Sequence, residues 1–227
     1  MDLPDDYLLR EARFPELQEL LDSYASAGWT FTDTPEKAGP ALQAYVRYAV
    51  NVPGLLDGVI SEIDDLLQFG LFSDEIADDV DLLPHINPPA GRSVEECLAL
   101  IRNHLDRIRD GGPYEESALP QTDWEWNKRF YELGQLLGAY FHQYFSQEYE
   151  SHKDALDDYL SGNPSEAHLQ AARDIGRLLS LVQDDSELNR VTKILGLWVY
   201  PPEGVSLRQW LTEMQGTIKD HLRAGAS

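Results

Sequence analysis

The stretch Trp198-Val199-Tyr200-Pro201-Pro202-Glu203-Gly204-Val205-Ser206-Leu207-Arg208-Gln209-Trp210-Leu211 decides how this chain is read, because it has an echo upstream. His85-Ile86-Asn87-Pro88-Pro89-Ala90-Gly91-Arg92-Ser93-Val94-Glu95-Glu96-Cys97-Leu98 shares its Pro-Pro-x-Gly-x-Ser frame and the leucine five residues after the serine. The frame has a local mechanism. Pro88-Pro89 and Pro201-Pro202 cannot continue a helix, and they hold the residue before them extended. Gly91 and Gly204 permit a sharp turn. Ser93 with Glu96, and Ser206 with Gln209, have the spacing of a capping box, in which each side chain satisfies a backbone amide of the other residue. The motif thus predicts a helix start in both places, and it reads as the closing segment of a unit rather than as an aromatic recognition site.

A second match lies further upstream in each half. Phe14-Pro15-Glu16-Leu17-Gln18-Glu19-Leu20-Leu21-Asp22-Ser23-Tyr24 aligns with Phe130-Tyr131-Glu132-Leu133-Gly134-Gln135-Leu136-Leu137-Gly138-Ala139-Tyr140, with six of eleven positions identical. The two matches keep the same order at nearly the same spacing, Phe14 against Phe130 and Pro88 against Pro201. Chance similarity of helical patterns explains one such match more easily than two in register. Two diverged tandem copies are the expectation, with a first domain at 1–112, a linker at 113–123 and a second domain at 124–227. The linker is placed where Gly111-Gly112-Pro113 and Pro120 crowd helix breakers together. Trp124 and Trp126, just beyond, are expected between the two halves.

Helical periodicity dominates both copies. Leu17, Leu20, Leu21 and Tyr24 form one apolar stripe, and Thr34-Pro35-Glu36 resembles a cap followed by proline at the first helical position, ahead of Leu42, Tyr45, Val46 and Ala49. Leu56, Val59, Ile60, Ile63, Leu66 and Leu67 give a third helix, and a short acidic one is expected from Ser73 to Val80. In the second copy the stripes are Leu133, Leu136, Leu137, Tyr140 and Phe141, then Ile175, Leu178, Leu179 and Val182, then Leu188, Val191, Ile194 and Leu195. Ser151 and Asn163-Pro164 supply starts for the second and third of its helices. The closing helices carry Leu98, Ile101, Leu105 and Ile108, and Leu207, Trp210, Leu211, Met214 and Ile218. The fold class is therefore all-α, two tandem helical bundles with little or no β structure.

The composition bounds the function. Of 227 residues, 42% are hydrophobic, which supports a folded chain despite a net charge of −22. Forty acidic against 18 basic residues create a field that repels nucleic acid and anionic membranes and attracts basic proteins. The single cysteine, Cys97, allows no internal disulfide and fits a reducing compartment. Met1-Asp2-Leu3-Pro4-Asp5-Asp6 is not a signal peptide, and no apolar run is long enough to span a bilayer, so the expected location is the cytoplasm.

Leu136-Leu137-Gly138-Ala139-Tyr140-Phe141-His142-Gln143, the aromatic and acidic stretch that follows to Tyr149, Leu195-Gly196 and the closing motif from Tyr200 to Leu211 together resemble the small helical immunity proteins of bacterial contact-dependent growth inhibition systems. The second copy carries this resemblance over nearly its whole length. The first departs from it, with Ser26-Ala27 in place of His142-Gln143 and Cys97 in place of Trp210. The resemblance implies a protein that is not an enzyme, that binds a cognate toxin domain and that blocks its active site. It assigns no contact residue.

Charge suggests where such contact would fall. Glu62, Asp64, Asp65, Asp74, Glu75, Asp78, Asp79 and Asp81 form the densest acidic patch, expected to meet a basic surface such as the phosphate-binding cleft of a nuclease. The competing reading is a solvated face. Asp74 to Asp81 lack the mid-loop glycine and terminal glutamate of a calcium loop, and His142 and His152 lack the spacing of a helical zinc pair. There is no phosphate-cradling loop and no nucleophile elbow, so neither metal nor cofactor is expected. The expected protein is a monomer outside its toxin complex. The alternative function is an acidic helical interaction or regulatory module without a toxin.

Overall fold

The computed structural model describes residues 14–69 and 86–225. Among them are eleven helices and no strand, so the all-helical expectation holds there. Among the described residues an isolated parallel bridge joins Thr30 and Asn87. The expected acidic helix from Ser73 to Val80 lies outside the described residues. Contacts divide the chain into two compact units, Met1–Glu125 and Trp126–Ser227. Residues 113–123, read from sequence as a linker, group with the first.

In the first unit α1 (Pro15–Ser26), α2 (Pro40–Ala49), α3 (Leu55–Phe69) and α4 (Val94–Arg109) surround one core, with α1 against α2 and α3, and α3 against α4. The apolar stripes face inward: Leu17, Leu20, Leu21 and Tyr24 meet Leu42, Tyr45, Val59, Ile63, Leu98 and Ile101. Each such side chain contributes about 1.5–3 kcal/mol through burial, which is why the 3.6-residue period predicts the helices. The start of α2 is a correction. It lies at Pro40, behind Gly39, and not at Thr34. Thr34 instead closes a turn with Lys37, whose N–H donates to the Thr34 hydroxyl at 3.1 Å. The buried Asp33 accepts from the Gly39 N–H at 2.7 Å and from the Tyr24 hydroxyl at 2.8 Å, so its carboxylate sets where the helix begins.

The second unit holds most of α5 (Asp123–Arg129), then α6 (Tyr131–Tyr140), α7 (Phe145–Glu148), α8 (His152–Gly162), α9 (Ser165–Leu181), α10 (Asp185–Ile194) and α11 (Leu207–Gly225). Here α6 packs against α8 and α9, and α9 against α11, which also touches α8 and α10. Ser151 and Asp184 cap α8 and α10 by accepting from the amides of Asp154 and Glu187. The two tryptophans expected between the halves belong to separate cores. Trp124 packs at 6.1 Å from Tyr45 and 5.6 Å from Tyr48 in the first, and Trp126 stacks at 5.7 Å on Phe130 in the second.

The closing motifs differ in one detail. Ser93 and Glu96 form the full capping box, with the Glu96 N–H donating to Ser93 Oγ at 3.1 Å and the Ser93 N–H to Glu96 Oε2 at 2.8 Å. Ser206 accepts from the Gln209 N–H at 3.2 Å, but the Gln209 amide group donates to Glu213 at 2.8 Å. Gly91 and Gly204 turn at φ +84° and +79°, in the left-handed region the sequence requires of them.

Candidate interaction surface

Of the eight acidic residues singled out from sequence, three lie among the described residues, all on α3; Asp74, Glu75, Asp78, Asp79 and Asp81 lie outside them. The three are not equivalent. Glu62 is half-buried and accepts from the Leu17 N–H at 2.7 Å, closing the start of α1. Burial raises its pKa, although the hydrogen bond from Leu17 opposes the shift. Asp64 is exposed and engaged by the Arg102 guanidinium at 2.9 and 3.2 Å. Asp65 is exposed.

A matching carboxylate stands in the second unit. Asp174 on α9, 1% exposed, accepts from the Leu133 N–H at 3.4 Å and from Gln170 at 2.8 Å. Its pKa is raised by burial too. Each unit thus closes the start of its first long bundle helix with an acid from the helix packed against it. Phe14 and Phe130, which precede those helices, share an unusual backbone, φ −127° and ψ 51° against φ −126° and ψ 43°.

Glu125 anchors the segment before α5 within the first unit. Arg47 Nε and Nη2 donate to its two carboxylate oxygens at 2.7 and 3.0 Å, and the Gln121 and Thr122 N–H groups donate at 2.8 and 3.0 Å. Burial pushes the Glu125 carboxyl up, but Arg47 and the amides outweigh it and hold its pKa below the ordinary value. Nearby, a cavity of about 780 Å³ is lined by residues including Lys37, His104, Arg107 and Tyr114. His104 Nε2 lies 2.7 Å from the Thr34 carbonyl, and Nδ1 lies 2.8 Å from Arg107 Nη2. With a carbonyl on one side and a guanidinium on the other, both ring nitrogens are spent inside the fold.

Among the described residues, exposed aromatic rings gather in the second unit around the loop before the double proline. Trp198 is 69% exposed and Tyr200 86%, with Tyr144 at 53%. Trp198 and Tyr144 line one groove of about 430 Å³ together with Gly138, His142, Gln143 and Gly196. The backbone beneath is fixed at several points. Gly196 turns at φ +92° against α6, so closely that a Cβ there would lie 2.7 Å from Gly138 Cα. The Trp198 N–H donates to the Phe141 carbonyl at 2.9 Å. His152 Nε2 lies 2.8 Å from the Tyr200 carbonyl oxygen, and Pro201-Pro202 follow. His142 meets Glu148 at 3.2 Å beside the groove.

Trp198 and Tyr200 belong to the motif read from sequence as a closing segment rather than a recognition site. Its proline, glycine and serine positions are structural, and Trp210 is buried at 5.2 Å from Phe141. No alternation of residue type marks them, since Leu197, Trp198, Val199 and Tyr200 are all apolar; the alternation is in burial, with Leu197 7% exposed and Trp198 69%, Val199 half-buried and Tyr200 86% exposed. Cys97 is fully buried, and burial pushes its thiol up to about 11, which leaves it unreactive. Among the described residues no three His, Cys, Asp or Glu side chains gather as metal ligands, and no helix is long and apolar enough to cross a membrane.

Comparison with curated proteins and with solved structures gives no match. In comparison with protein families, residues 129–218 match the model of the family described as CdiI immunity protein. Members of that family are inhibitors that bind toxins rather than enzymes. The matched residues fill most of the unit that carries the exposed rings, and that second unit is accordingly similar to the CdiI immunity protein family.

Proposed function

We propose that this chain neutralises one cognate toxin domain by direct protein contact in the cytoplasm of the cell that makes the toxin. The observation that carries the reading is the family match over residues 129–218. The net charge of −22 favours a toxin with a basic face, and a nuclease with a phosphate-binding cleft is the class this charge fits. The acidic patch begun by Asp64 and Asp65 serves to draw that face in, and Glu62 supports it from within.

The first unit is a diverged copy of the second. The pairing of α1 with α2 and α3, and of α3 with α4, parallels that of α6 with α8 and α9, and of α9 with α11. The Glu62 and Asp174 contacts and the backbones of Phe14 and Phe130 agree in the same way.

The test is co-expression with the C-terminal domain encoded by the adjacent gene. Growth should be rescued, and the two proteins should purify as one complex with a single copy of this chain. Continued toxicity with no complex overturns the reading.

A further inference from the structure

We infer that the toxin docks on the exposed aromatic surface of the second unit formed by Tyr144, Trp198 and Tyr200, and that it does so with a face bearing arginine or lysine. The inference rests on the immunity reading and adds the place and chemistry of the contact.

Scattered exposed apolar residues are ordinary. Here Trp198 and Tyr144 share one groove, and Tyr200, two residues on, is the most exposed of the large apolar side chains described. Tryptophan and tyrosine are the residue types that dominate binding energy at protein interfaces. Their usual cost is ordering on binding. That cost is reduced because the backbone is already held by the Gly196 contact with Gly138, by the Trp198–Phe141 hydrogen bond and by Pro201-Pro202.

The charges beside the rings select the partner. Glu148 is exposed and reaches the groove through His142, and Glu203 is exposed three residues beyond Tyr200. Lys153 is paired with Asp157, and Arg208 with Asp185 and backbone carbonyls of the α9–α10 turn. Carboxylates beside aromatic faces favour a cation, which pairs with the acid while lying over the ring. An anionic or purely apolar face would leave Glu148 and Glu203 without compensation.

The experiment is titration calorimetry of the full chain against the purified toxin domain of the adjacent gene, with circular dichroism of each variant. Trp198→Ala with Tyr200→Ala should weaken binding by about a hundredfold or more while leaving helicity unchanged. Tyr144→Ala, on a different loop, should weaken it in the same direction. Tyr131→Ala, 59% exposed at the opposite end of α6, should not alter affinity. Undiminished binding by the double variant overturns the docking surface and leaves the immunity reading intact. Failure of the unmodified chain to bind overturns both.

Discussion

Asp174 and Glu62 are the residues whose chemistry is least visible in the sequence. Each looks like a surface acid, and each accepts from the first turn of a helix more than 40 positions away. Periodicity places them on α9 and α3 but carries no information about the partner. Their consequence can be measured. Because the folded pKa of Asp174 is raised, the native state holds a proton that the unfolded chain releases near pH 4. Between that value and its folded pKa, stability therefore falls as pH rises. Asp174→Asn should flatten this decline in urea titrations run from about pH 4 upward, and an unchanged slope would discount the buried carboxylate. Gly196 is a second such position. Alanine there must adopt φ +92° and place its Cβ 2.7 Å from Gly138 Cα. Gly196→Ala should cost about 2 kcal/mol or more in chemical denaturation.

At the scale of elements most of the fold was legible, since apolar stripes and caps are local. Leu17 to Tyr24, Leu133 to Phe141 and the two closing helices lie where the 3.6-residue period puts them. The start of α2 was misplaced because two prolines compete for it. Asp33, whose burial depends on Tyr24, settles the choice in favour of Pro40. The 113–123 segment shows the same dependence on distant partners, since Arg47 lies 78 positions from the Glu125 that holds the segment's end. Both side chains of that pair are about 10% exposed. Arg47→Ala leaves a buried carboxylate without its cation and should destabilise the chain by about 3 kcal/mol. Arg47→Met combined with Glu125→Gln should recover part of the loss, and protease sensitivity near Gln121 provides a second reading.

For the whole molecule, the proposed docking assigns encounter to charge and retention to the rings. If a field of −22 draws in a basic toxin, the association rate should fall several-fold as ionic strength rises from about 10 mM to 1 M, where the screening length contracts from about 30 to 3 Å. Stopped-flow mixing provides the measurement, and a rate indifferent to salt would remove the steering role. The candidate site was only partly legible. Acidity is a property of composition, whereas the exposure of Trp198 and Tyr200 depends on a backbone pressed against α6 by two glycines. That pressed backbone also separates two kinds of inheritance. Gly138, Gly196 and Pro201-Pro202 maintain the loop, while the rings at 198 and 200 point away from the core it protects. If the proposed docking holds, substitutions at those two positions change the partner surface without touching the hydrophobic interior.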